Sequence, residues 1–244
     1  MNEIEILKHF LEYPVWTSEP IFEKFKTIEN ADFREYSKHC KQRFLFIQGS
    51  RENKVVLVAH ADTYFDQHYR PYKINHTLVE YNGFIYGQDE NGFSTAIGAD
   101  DRAGCAILWL LRESGHSLLI TDGEEKGRIG SKWLMKSNPD IADLINNHQF
   151  IIQVDRRNAN DFKCYNVGTD EFKEFISDQT GYFDAGKSSF TDICTLCRDV
   201  CGVNLSIGYY NEHTKEEKVN ISEWFNTLNL LRNLLQKDLP KFNR

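Results

Sequence analysis

Residues 55–63 read VVLVAHADT: five apolar residues, then a histidine and an aspartate with one alanine between them. A continuous apolar run this short reads as a strand buried on both faces. The polar residues begin where the strand ends. In an open parallel sheet that carboxyl edge is where loops collect ligands. The stretch thus raises two questions, whether other strands end the same way and whether helices separate them.

Both conditions hold along the chain. Further strand candidates are RFLFIQ (43–48), SLLIT (117–121), FIIQV (150–154) and VNLSI (203–207). Helical periodicity is read over residues 2–12, 19–27, 102–113, 130–137, 140–147, 188–201 and 220–237. In the last, Asn220 and Glu223 form a capping-box-like start, with Val219 and Trp224 placed as a hydrophobic staple. This alternation predicts an α/β fold, a three-layer sandwich with a central, mostly parallel mixed sheet flanked by helices. Residues 1–244 are expected to form a single domain. Residues 64–97, rich in Tyr, Asn, Gly and Asp, read as a small hairpin insertion at one end of the sheet.

Composition narrows the partners. Hydrophobic residues make up 41% and charged residues 27%, the balance of a soluble globular protein. A net charge of −7 with no block of like charges argues against nucleic acid or an anionic membrane as partner. No apolar run approaches the roughly 18 residues that would span a bilayer, and MNEIEILKHFLEYP reads as no secretory signal. A cytoplasmic protein is expected. Within CTLCRDVC, Cys194, Cys197 and Cys201 fall at helical spacing beside Phe190, Ile193 and Val200, so they read as core rather than as a metal cluster.

The polar groups after the strands carry the chemistry. His60 and Asp62 follow VVLVA, Asp122 to Glu125 follow SLLIT, Asp155 follows FIIQV, and GYYNEH after VNLSI ends on His213. GADDRAG (98–104) adds Asp100 and Asp101 at a helix start. Alone, each is an ordinary turn, N-cap or surface histidine. Together, three carboxylates and two histidines would be costly to assemble without a cation. Two divalent zinc ions would balance three carboxylates and one hydroxide, and zinc accepts both imidazole and carboxylate. Residues i and i+2 of an extended segment share a side, so Asp62 can accept a hydrogen bond from the nitrogen of His60 left free of metal. The neighbours Glu124 and Glu125 diverge, one able to bind metal and the other to shuttle a proton.

The ordered segments VAHADT, GADDRAG, TDGEEKGRIGS, VDRR and GYYNEHTKEE, spanning residues 58–217, resemble the co-catalytic dizinc exopeptidase superfamily of aminopeptidases, tripeptidases, carboxypeptidases and deacylases. The segment from His213 to Glu217 is similar to that family's closing His-Thr-x-x-Glu. The resemblance implies that His60 and Asp155 bind one zinc, that Glu125 and His213 bind the other, and that Asp100 bridges them. It implies that Asp62 orients His60 and that Glu124 is the general base toward the shared water. A cis peptide is implied at Asp100–Asp101. Two-domain members carry a dimerisation lid of roughly 100 residues between the last two motifs, but only 57 residues separate Asp155 from His213 here. The expectation is a lidless aminopeptidase acting on peptides. An N-acyl-amino-acid deacylase or carboxypeptidase and a non-catalytic metal-binding homologue are the alternatives. Oligomeric state and side-chain preference stay open, and Arg156, Arg157, Tyr209 and Asp192 read as structural neighbours of the motifs.

Overall fold

The apolar runs become neighbouring strands, as their two-sided burial requires. The computed structural model describes residues 2–66 and 73–244. Its main sheet contains β1 (Asp32–Ser37), β2 (Gln42–Ile47), β3 (Val56–His60), β7 (Ser117–Thr121), β8 (Ile151–Arg156), β9 (Asp161–Lys163), β10 (Phe183–Asp184) and β11 (Gly202–Ser206). The spatial order is β1-β2-β7-β3-β8-β11-β9-β10. The four central strands β7, β3, β8 and β11 are parallel. Strands β1, β2 and β9 join through antiparallel pairings, which makes the sheet mixed. The parallel core turns four strand ends toward one edge.

Among the described residues eight helices flank the sheet: α1 (Glu3–Leu11), α2 (Glu19–Phe25), α3 (Ala99–Leu111), α4 (Ile129–Ser137), α5 (Pro139–Asn146), α6 (Asp170–Thr180), α7 (Ile193–Leu196) and α8 (Ile221–Leu235). Side chains alternate across the strands, so Leu57 and Ala59 enter the core shared with α1, α2, α3, α6 and α8. Val56 and Val58 enter the smaller core under α4, α5 and α7. Each fully buried aliphatic or aromatic side chain contributes about 1.5–3 kcal/mol relative to exposure. Local signals agree with the packing. Asn2 and Glu5 close a reciprocal capping box on α1, and Val219 and Trp224 are buried in one cluster beside the start of α8. At that start the Asn220 side chain accepts from the backbone of Ser222 and Glu223. Glu223 instead accepts from the Tyr210 hydroxyl at 2.6 Å, so the cap is one-sided.

Two expectations need correction. The helix predicted over 188–201 is confined to α7. Asn146 accounts for its end: its carbonyl accepts from the backbone N–H of Arg198 and Asp199, and its amide donates to the Leu196 carbonyl. Those bonds replace the continuing helical ladder. Cys197, Val200 and Cys201 are nonetheless buried, whereas Phe190 is 75% exposed and does not belong to the core. All six cysteines are free.

The excursion at 64–97 does more than decorate the sheet, although part of it, 67–72, lies outside the described residues. Strands β4 (Thr77–Tyr81) and β5 (Phe84–Gln88) form a hairpin. Asn82 and Gly83 at its tip both have positive φ, the geometry of a tight hairpin turn. With β6 (Ser94–Thr95), β12 (Tyr209–Tyr210) and β13 (Lys218–Asn220), these strands make a second sheet. Strand β5 pairs with β13, and β13 with β12, so the hairpin braces the strand that follows the His213 loop.

Candidate active site

The carboxyl edge of the central strands gathers the predicted residues. His60 ends β3, Asp155 lies near the end of β8, and Glu124 and Glu125 follow β7 in the loop to α4. His213 lies in the loop between β12 and β13, with φ of +64°. Asp100 lies at the head of α3, where Asp100 and Asp101 depart from helical geometry and the peptide between them is cis.

These side chains form two groups that share one member. His60 Nε2 lies 3.0 Å from Asp100 Oδ1 and 3.3 Å from Asp155 Oδ1. His213 Nε2 lies 2.9 Å from Glu125 Oε1 and 3.4 Å from Asp100 Oδ2. Within each triad, His60–Asp100–Asp155 and Asp100–Glu125–His213, one donor atom per residue lies within 4.8 Å of the others. The two oxygens of Asp100 thus face different triads. The ring of His213 also stacks on Tyr64, centroids 4.5 Å apart.

Supporting contacts explain how the groups are aimed. Asp155 Oδ2 accepts from Gln153 and Thr191, both at 2.8 Å, leaving Oδ1 for the His60 side. His60 Nδ1 lies 3.0 Å from the Asp62 carbonyl oxygen and 3.4 Å from its Oδ1. The closer contact is therefore to the backbone of Asp62. Its carboxylate accepts chiefly from the backbone N–H of Gly123 (2.8 Å) and Glu124 (3.1 Å), which ties the end of β3 to the glutamate loop. Its second oxygen is buried without a hydrogen-bond partner among the described residues.

Three further acidic residues shape the site. Asp101 Oδ2 accepts from the His60 backbone and Oδ1 from that of Gly104. Glu217 accepts from the backbone N–H of Ile97, Gly98 and Asp100, at 3.2, 2.7 and 3.2 Å, and so holds the segment that presents Asp100. Its place at the end of the His-Thr-x-x-Glu segment was visible in the sequence, but this role was not. Asp192, buried beneath the site, accepts from Thr121 and Ser131.

Electrostatically the cluster is short of positive charge. Burial, then the neighbouring Asp155, raises the Glu124 carboxyl well above its ordinary value. Burial and Asp100 raise Glu125. Burial, with Asp100 adding to it against His60, pushes Asp155 up to about 7. His213 moves the other way: despite burial, Asp100 and Glu125 lift it to about 11. Carboxylates removed from water and crowded together favour protons or cations. The donor set of imidazole and carboxylate in two triads fits a pair of borderline divalent ions, of which zinc is the type.

Asp100, Glu124, Glu125, Asp155 and His213 line a cleft of about 280 Å³, whose lining also includes Arg156, Arg157, Lys163, Tyr165 and the 188–191 segment. Arg156 is held by Asp161 through two contacts of 2.8 Å, in keeping with a structural role. Tyr209 also lines the cleft.

No protein-family model matches the sequence, and no curated protein matches it. Solved structures do match the fold. The aminopeptidase PepT from Bacillus cereus superposes with a TM-score of 0.67 at 12% identity, covering 97% of this chain and 98% of that one. A tripeptidase from Staphylococcus aureus gives 0.68 at 15% identity, covering 97% and 100%. The TET1 peptidase of Pyrococcus horikoshii, which can assemble into a tetrahedron or a large octahedral shell, gives 0.65 at 14% identity, covering 96% and 99%. The chain thus shares its fold with solved structures of an aminopeptidase and a tripeptidase.

Proposed function

We propose that this chain is a dizinc aminopeptidase hydrolysing the N-terminal amide bond of peptides. The observation that carries the reading is the pair of triads sharing Asp100, with Glu124 in the same cleft. His60 and Asp155 would hold one divalent cation, Glu125 and His213 the other, and Asp100 both. Bound there, the cations supply Lewis-acid polarisation of a carbonyl and lower the pKa of water toward neutrality.

The chain's own residues do the rest. Glu124 takes the proton from the attacking water and returns it to the leaving amine, a contribution of about 10²–10⁴-fold. Burial and Asp155 raise its pKa, which favours proton uptake by this carboxylate. Asp62 keeps Glu124 in place by accepting from its backbone and from that of Gly123. The reading includes one catalytic domain without a lid and a cytoplasmic setting, which six free thiols support. Among the described residues no helix is long and apolar enough to cross a membrane.

Metal analysis after zinc reconstitution, coupled to a peptide-hydrolysis panel, tests the proposal. Glu124→Gln is expected to abolish turnover while two zinc ions stay bound. Fewer than two divalent ions per wild-type chain, or near-normal activity in the variant, would overturn it.

A further inference from the structure

The cleft lining carries cationic side chains that the proposed chemistry does not use. Lys163 is 5% exposed and forms no ion pair among the described residues. Its ammonium donates to three uncharged oxygens: the Ser188 carbonyl at 2.6 Å, Ser188 Oγ at 3.0 Å and Ser189 Oγ at 3.3 Å. The neighbouring cations are matched, Arg156 by Asp161 and Arg157 by Glu212. Burial, and then Arg156 and Arg157, pull the Lys163 pKa down, with Asp161 and Asp184 opposing them. Asp161 is bound by Arg156, and Asp184 lies 3.9 Å from Lys173.

A buried ammonium without a counter-ion is expensive unless an occupant supplies the charge. The Ser188 hydroxyl can turn to donate, and the Ser189 hydroxyl, which donates to the Ser188 carbonyl, can be redirected, so ammonium and hydroxyls together make a cradle for an anionic oxygen pair.

Resting on the peptidase reading, we propose that Lys163, with Ser188 and Ser189, binds a carboxylate of the peptide substrate. That carboxylate is either an acidic first side chain or the free C-terminus of a short peptide. The site selects anionic over neutral substrates.

Binding tests this without turnover. The zinc-reconstituted protein is titrated calorimetrically with L-glutamate against L-glutamine, which probes the side-chain source. It is then titrated with a CH₂–NH isostere of Ala-Ala as free acid against its C-terminal amide, which probes the terminal source. At least one acid is expected to bind about ten-fold tighter than its amide, the gain of a charge-assisted contact. Lys163→Met should bring the pair within about two-fold, and Lys163→Arg should keep the preference. Should the Met variant fail to fold, Lys163→Gln carries the same comparison. Acids and amides bound alike in both pairs, or a preference that survives loss of the ammonium, overturns the proposal. Hydrolysis of Glu-, Leu- and Lys-anilides is measured alongside. Acid preference in binding with no anilide cleaved breaks the peptidase reading and upholds the carboxylate site. Cleavage with no acid preference in binding does the reverse.

Discussion

The two ends of the central strands bury histidines in opposite ways. At the carboxyl end, His60 lies among Asp62, Asp100 and Asp155, which raise its pKa well above the ordinary value although burial opposes them. At the amino end, His116 and His148 are as deeply buried and their pKa values fall, chiefly through burial. Their partners are neutral. His116 Nδ1 accepts from the Val55 backbone and its Nε2 donates to the Leu235 carbonyl, while His148 lies between Ser117 Oγ and the Leu144 carbonyl. Burial alone therefore says nothing about ligation. Unmatched carboxylates around the ring do.

The largest effect that can break this comparison comes from Asp100. Asp100→Asn removes the oxygen pair common to both triads. It is expected to lower kcat by at least about 10²–10³-fold and to reduce bound zinc below two per chain by elemental analysis. His148→Gln, equally buried at the other end, should leave both quantities at the wild-type level. Full zinc content in Asp100→Asn, or zinc loss in His148→Gln, would erase the distinction between the two ends.

Next come residues that build the carboxyl end without facing the cleft. Glu217→Ala would strip the acceptor from three buried N–H groups around Asp100. Urea unfolding of the metal-free protein should show a loss of about 2–4 kcal/mol, and a change below about 0.5 kcal/mol would mean that those groups find other partners. Gly104→Ala is expected to cost somewhat less. A Cβ there would lie 2.1 Å from Asp101 Oδ1 and 2.2 Å from the Val154 carbonyl oxygen, so backbone must shift, at about 1–3 kcal/mol. Because Asp101 also holds the His60 backbone, zinc affinity should fall with stability. Unchanged affinity would separate the packing of α3 from the aim of His60.

How much of this was legible follows from where each signal resides. Strand ends leading to His60, Glu124, Glu125 and Asp155 could be read because an apolar run and the polar residues after it are close in sequence, and His213 follows its run within six residues. Helix α6 went unread: only Phe172 and Ile176 are buried on it, too thin a stripe for periodicity to stand out. Thr169, whose side chain accepts from the Phe172 backbone, and Gly181 at φ +70° mark its ends and could have found it. The opposite error at 188–201 arose because helical spacing was present while Asn146, distant in sequence, diverts the chain. Glu217 and Asp101 act by accepting backbone hydrogen bonds from other segments. Lys163 matters through the carboxylate it lacks. Neither property has a spacing to read.

The smallest effect sharpens the comparison from its amino end. Burial holds His148 neutral and pulls its pKa to about 4 from an ordinary 6.5. Between those values the unfolded chain takes up a proton that the folded ring refuses, so this contribution is complete above about pH 6.5 and is lost as pH falls toward 4. From about pH 7 to pH 5.5 the wild type should lose about 1 kcal/mol relative to His148→Gln, read from urea midpoints of the metal-free proteins. The raised carboxyls Asp155 and Glu124 act in the reverse sense, since their folded forms hold protons more tightly and gain stability on acidification. They are common to both proteins and cancel in the difference, as does His116. Parallel curves for the two proteins would mean that His148 can be protonated in place. The contrast between a histidine kept neutral by its surroundings and one surrounded by carboxylates would then rest on His116 alone.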